Sequence, residues 1–237
     1  MATTGRTREA SAPAPPTRAL ILDTAERLFS ARGLDGVAVR DLAREMGITA
    51  SSLYNHFPSK QALYDAVIER GLGPIIGVVT EAWQLGEPRP GHVQESVDRL
   101  TAHLARHPHL ARLLQRALLE DTAAVQALLD QWLGSLYREG IAVVRKMARD
   151  AGWQPEAVPH LGIALFGMIF AYFTNPAALR RLTGWRDEPL SPRALRVQQR
   201  FLAEAVLRLL GPRPRSGPRR AQPPTTADAR RRRSPHG

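Results

Sequence analysis

The sequence predicts an all-α fold in two parts, a small three-helix unit followed by a larger helical domain. Three observations carry this expectation. Apolar residues recur at helical spacing almost from Thr17 to Leu210, and no segment alternates with the period of two that a half-buried strand requires. Two very short apolar stripes, one ending at Gly47 and the next stopped by Pro58, follow a longer helix that ends at Gly33.

Composition bounds the rest. The chain has 237 residues, of which 43% are hydrophobic and 23% charged, ordinary values for a protein that buries a real core. The net charge of +11 is unevenly placed: from Gly211 onward there are eight Arg against one Asp, which accounts for +7. With no Cys, disulfides, thiolate zinc sites and Cys nucleophiles are excluded. Met1 to Pro16 lacks the apolar run of a signal peptide, and Leu161 to Phe173 is too short to span a bilayer. The expected location is therefore the cytoplasm, away from any membrane.

Taken in order, residues 1–16 are small, polar and Pro-rich and read as a disordered arm. The first helix begins at Thr17, with Leu20/Ile21, Thr24/Ala25 and Leu28/Phe29 repeating at helical spacing. Val39, Leu42, Ala43 and Met46 form the second helix. The third starts at Thr49, whose hydroxyl can cap it, and Ile48 and Leu53 occupy the two positions of a hydrophobic staple. Ser59 caps a long fourth helix, in which Gly71, Gly73 and Pro74 predict a kink or break near position 73. Further helices are expected at roughly 91–107, 108–119, 121–150, 156–174 and 192–210, separated by Pro, Gly and Asn-Pro. This divides the chain into 17–62, a helix-turn-helix unit, 63–210, a helical domain, and 211–237, a disordered basic tail.

The third helix carries the chemistry. A core has little use for two turns that expose Ser, Tyr, Asn and His together, whereas a duplex groove offers base edges and phosphates to such groups. Leu53 and Phe57, four apart, point inward, which leaves Ala50, Ser51, Tyr54 and Asn55 outward. Arg40 can reach a phosphate or a guanine edge, and Lys60 sits where its ammonium and the free N–H groups of the fourth helix can hold a phosphate. One such helix contacts few base pairs, so two, about 34–36 Å apart on a near-palindromic site, are needed for useful specificity. Ser52 and His56 are spaced like a nucleophile and base, but no carboxylate lies within local reach to orient the imidazole, so no catalytic site is assigned. His103, His107 and His109 form the single histidine cluster. Without Cys, and with Pro108 between the last two, they read as a solvated helix end, not a metal site.

The run ILDTAERLFSARGLDGVAVRDLAREMGITASSLYNHFPSKQAL, about a fifth of the chain, resembles the N-terminal domain of TetR-type transcriptional regulators. By position, the resemblance implies that Arg40, Ala50 and Ser51 face bases. It implies that Ser52, Tyr54, His56 and Lys60 hold the phosphate backbone, and that Asn55 does either; Thr49 completes the set. Ala38 departs from the family, which has Thr or Ser at this N-cap; losing that cap costs about 1 kcal/mol. Asp41 offsets part of the loss through the helix dipole. Ala50 can read at most a thymine methyl.

The resemblance further implies a homodimeric repressor released from its operator by a small hydrophobic or amphipathic effector, with no cofactor and no enzymatic activity. Activation by the same fold, or sequence-independent structural DNA binding through the Arg230–Arg233 run, remain open. Leu161 to Phe170 is apolar on every side and is expected to be buried all round. Trp132, Tyr137, Phe166, Met168 and Phe170 are the candidate pocket walls. Gly162, with Val197, Phe201, Ala205 and Leu209 of the last helix, are the candidate dimer-interface positions.

Overall fold

The computed structural model describes residues 17–119 and 123–212, and ten α-helices are assigned among them, with no strand. The arm 1–16 and nearly all of the tail 211–237, including Arg230–Arg233, lie outside the described residues.

Helix α1 (Arg18–Arg32) opens on Thr17, whose Oγ1 accepts from the Leu20 N–H at 3.3 Å, and closes at Gly33 with φ 74°. Its inward stripe is Ile21, Leu22, Ala25, Leu28 and Phe29, whereas Leu20 of the expected repeat is 50% exposed. Helix α2 (Val39–Glu45) starts at Ala38 with no side-chain cap, and Asp41 stands in its first turn. The turn to the third helix contains Gly47, whose φ of 67° suits a residue without Cβ. Helix α3 (Ala50–Tyr54) is capped by Thr49, whose hydroxyl accepts from Ser52 N–H at 3.1 Å.

Helix α4 (Lys60–Gln84) is capped by Ser59, which accepts from Ala62 N–H at 3.0 Å, and it runs on through Pro74 without interruption. Of the kink or break expected near position 73, the break does not occur. Proline costs one backbone bond and crowds the carbonyl four residues back. Packing of both halves of α4 against α1, α5 and α7 offsets that cost.

The remaining helices are α5 (Pro90–Arg106), α6 (Leu110–Leu119), α7 (Ala123–Asp150), α8 (Val158–Thr174, preceded by a 3₁₀ turn at Pro155–Ala157), α9 (Pro176–Thr183) and α10 (Pro192–Leu210). Helix α9 was not foreseen. The Asn-Pro pair that ends α8 also begins the next helix, because Asn175 Oδ1 accepts from Ala178 N–H at 3.1 Å.

A single apolar core joins the two parts. Leu42, Leu53 and Phe57 of the small unit share one cluster with Leu63, Tyr64 and Val67 of α4, Leu110 of α6 and Phe170 of α8. Phe29 and Tyr64 meet edge to face at 5.1 Å, which fastens α1 to α4. The small unit is therefore seated on the C-terminal helices through shared packing.

Helix α8 is not buried all round. It turns Val158, Leu161, Phe170, Tyr172 and Phe173 inward, yet Ile163 is 70% exposed and Gly162, Ala164 and Phe166 also face outward. Here the neighbouring helices cover only one side of α8, so the all-round apolar pattern overstated its burial. With its 3₁₀ turn, the segment Pro155–Thr174 is 20 residues, long and apolar enough to cross a membrane by length and composition. The shorter window Leu161–Phe173 had missed this. Its inward face packs on α5, α6, α7 and α10.

Candidate nucleic-acid interface

The candidate surface is built on a two-residue anchor. Leu53 is 2% exposed and Phe57 4%, so the inner side of α3 is committed to the core. With that side fixed, Ser51, Tyr54, Asn55 and His56 all face outward, and Ala50 and Ser52 are half-buried at the edge. Tyr54 is 47% exposed. Thr49 is exposed, but its hydroxyl is already engaged in capping, and its place is to start the helix in the right register.

The charges around α3 divide into tied and free. Arg44 pairs with Asp41 at 2.8 Å, and Arg27 pairs with Glu45 of α2. Asp41 thus serves both the first turn of α2 and this pair. Arg40 is exposed and has no ion pair among the described residues. Lys60 is less free than its sequence position implied: its Nζ donates to the Leu34 carbonyl at 2.9 Å, tying the start of α4 to the turn after α1. An ammonium has three donors, so one bond to Leu34 leaves others for a phosphate. Helix α3 and the start of α4 thus bring Ser51, Ser52, Tyr54, Asn55, His56 and Lys60 to one end of the small unit.

Two contributors were not foreseen. Arg18, in the first turn of α1, places its guanidinium 5.0 Å from the centre of the Phe57 ring, a cation–π contact across 39 positions of sequence that no local pattern signals. The other is an ion cluster centred on the buried carboxylate of Glu26. Glu26 of α1 is 3% exposed and accepts from Arg70 at 2.8 Å, and His107 Nδ1 lies 3.3 Å from the same carboxylate oxygen. Arg70 also reaches Asp23 at 2.7 Å. A signal was present here: Glu26 stands four residues after Leu22, on the inward stripe of α1.

The histidines are likewise not a solvated helix end. His103 is 6% exposed, with Nε2 3.0 Å from the Gly71 carbonyl, and its ring lies 4.8 Å from that of His107. Burial lowers the pKa of His103, the Gly71 bond opposes this, and His107 and Arg106 lower it further. Burial also lowers that of His109. No group of three or more metal-ligating side chains occurs among the described residues.

The three candidate pocket residues whose side chains are described do not converge. Phe166 is exposed and stacked on Phe170 at 4.2 Å, Phe170 lies in the main core, and Met168 packs against Val93, Val97 and Leu202 between α5 and α10. Trp132 and Tyr137 fall in α7, but their side chains lie outside the described residues. A cleft of about 360 Å³ opens instead between α4 and α5, against Ile75, Val78, Leu100, His103 and Arg106. Of the candidate interface positions, Gly162 opens onto free space, Val197 is 45% exposed and Phe201 55%. Ala205 and Leu209 are half-buried, the latter against α7 and α8.

Residues 21–67 match the model of the bacterial regulatory proteins of the tetR family. Over 64 residues the chain is 41% identical to the HTH-type transcriptional repressor KstR2 of Rhodococcus jostii, covering 27% of this chain and 31% of that protein. Over 119 residues it is 24% identical to the nucleoid occlusion factor SlmA of Haemophilus influenzae, covering 50% of this chain and 55% of that protein. The matched regions thus span about half or less of these curated relatives. The fold extends further: the TetR-family regulator PfmR of Thermus thermophilus superposes with a TM-score of 0.58 at 17% identity, covering 85% of this chain and all of that one.

Proposed function

We propose, from the match of residues 21–67 to the tetR-family model, that this chain is a homodimeric transcriptional repressor of the TetR type. In this reading it holds a near-palindromic operator until a small hydrophobic or amphipathic effector binds the C-terminal helices. The observation that carries the reading is the outward row Ser51, Tyr54, Asn55 and His56 on a helix anchored from behind by Leu53 and Phe57. Phosphate contacts from Lys60, Arg40 and Tyr54 position the helix, and Ser51, Asn55 and Arg40 read base edges.

The dimer is supported by the apolar side that α8 and α10 leave open. Ile163, Phe166, Val197 and Phe201 are large apolar residues exposed by 38% to 70% on two adjoining helices. Such surface marks an interaction site, and a two-fold axis through it would present two α3 helices to one duplex. Release follows if the effector binds better to an arrangement with altered spacing between the two α3 helices. Helix α4 is continuous through Pro74, so it would transmit that change as one rod and not fold at Gly71–Pro74.

Footprinting on the DNA upstream of the coding region, with and without a panel of hydrophobic compounds, tests this. Protection of a near-palindrome, lifted by one compound class, is the expected result. Activation instead of repression would appear as loss of transcription on deletion. The similarity to a nucleoid occlusion factor favours a second reading, a structural DNA binder, and that reading gains if random duplex is bound as tightly as the upstream fragment at fixed salt.

A further inference from the structure

The cleft between α4 and α5 is a groove on the outer side of the two helices. Ile75 and Val78 of α4 and Leu100 of α5, all buried, form its apolar floor. Its walls are small: Pro74, Gly77 and Ala102 line it and are exposed, and a Cβ added to Gly77 would meet nothing within 4 Å. The volume of about 360 Å³ is at the lower end of the roughly 300–1,000 Å³ that small-molecule sites occupy. Along α5 the groove runs from Arg99 to Arg106, about 10 Å at the helical rise.

An arginine stands at each end, and only one is neutralised. Arg99 pairs with Glu81 of α4 at the Val78 end. The opposite end is marked by the contact of His103 Nε2 with the Gly71 carbonyl at 3.0 Å. There Arg106 donates through Nε to the Ala102 carbonyl of its own helix at 3.3 Å, and it has no acidic partner among the described residues. That bond leaves its two terminal nitrogens as a fork, the geometry that holds a carboxylate through two parallel hydrogen bonds. An apolar floor about 10 Å long that ends on one uncompensated cation suits a short alkyl chain with a single negative head.

We propose that the groove between α4 and α5 binds a short-chain amphipathic carboxylate, its tail on Ile75, Val78 and Leu100 and its head on Arg106. The proposal rests on the effector reading above and deepens it, giving the effector a seat and a chemical class. An alcohol of the same length gains the floor without the fork, and an ammonium is repelled by the guanidinium. The head also lies close to the joint with the small unit. Next to Arg106, His107 meets Glu26 of α1, and the same carboxylate holds Arg70 of α4.

Isothermal titration of the full chain without DNA, at pH 7.5, tests the site with three probes: octanoate, octanol and octylammonium. Octanoate should bind with a Kd of about 1 mM or tighter, which a ligand of about ten non-hydrogen atoms can reach. It should bind at least about tenfold more tightly than octanol, the worth of a charge-assisted bond. Arg106→Gln should bring octanoate to the level of octanol, and Arg106→Glu should invert the preference so that octylammonium binds best. Gly77→Leu should fill the groove and abolish binding of octanoate and octanol alike. Octanoate bound no better than octanol, or bound as tightly by Arg106→Gln as by the wild type, overturns the proposal even if Gly77→Leu does not fold. Anisotropy with an upstream duplex keeps the two readings apart. If octanoate titrates as expected but no duplex is bound, the groove stands and the DNA-binding reading falls; if the duplex is bound and octanoate is not, the reverse holds.

Discussion

Gly71 of α4 and Leu110 of α6 approach so closely that a Cβ on Gly71 would lie 2.1 Å from Leu110 Cδ1. Leu110 is fully buried, so its side chain cannot swing into solvent to make room. Gly73, two residues on, has open space where its Cβ would go. The two glycines that looked equivalent in sequence therefore play different parts: one is a contact point, the other a site of helical weakness.

Gly71→Ala is accordingly expected to destabilise the chain by about 1–3 kcal/mol through overpacking. Gly73→Ala should stabilise it by up to about 1 kcal/mol, the helix-propensity difference. Urea unfolding of the two variants checks this, and equal midpoints would contradict the geometry.

Tyr54 and Leu53 are neighbours with opposite duties. Tyr54→Ala should change stability by less than about 1 kcal/mol, because the side chain is half-exposed. Its loss should weaken DNA binding at least several-fold. Leu53→Ala should cost about 2–5 kcal/mol, as large-to-small core changes do. Unfolding curves set beside anisotropy titrations separate the two effects.

Lys60→Ala removes the bond to the Leu34 carbonyl along with any phosphate contact. A loss of about 1 kcal/mol in stability should accompany weaker DNA binding. A binding defect with no change in stability would show that the Leu34 bond contributes nothing in solution.

Glu26→Gln leaves Arg70, which keeps its pair with Asp23, beside a neutral amide and strips His107 of its carboxylate. Losing the charge-assisted bond at the buried carboxylate is expected to cost about 1–3 kcal/mol. Asp23→Asn, at the exposed arm of the same guanidinium, should cost under about 1 kcal/mol. Thermal melts of both variants at pH 7.5 test the asymmetry.

Phe201→Glu on α10 and Ile163→Glu on α8 change exposed side chains, so an isolated chain should tolerate them. If these helices form the dimer, sedimentation should show monomers, and operator affinity should fall by orders of magnitude. A variant that remains dimeric would move the interface elsewhere.

Much of the helix-turn-helix unit was legible in the residues because its signals are local. Thr49 and Ser59 cap the helices that follow them, Gly33 and Gly47 end those before them, and Leu53 and Phe57 turn inward at a spacing of four. Helix α9 was missed because Asn175-Pro176 reads equally as a stop and as a start. The break at Pro74 was over-read because proline's local cost is visible in sequence and the packing that offsets it is not.

The sequence by itself determined that the chain is helical, where most helices begin and end, and which side of α3 faces outward. Capping, turn and periodicity effects act over four or five residues, so they are written in neighbouring letters. Tertiary structure alone decided that Lys60 is tied to Leu34, that Arg18 covers Phe57, and that His103 meets Gly71 beside the Glu26 cluster. Each of these joins residues 26 to 39 positions apart or more. Such pairings depend on how the helices pack against one another, a property of the folded core that no local window of sequence contains.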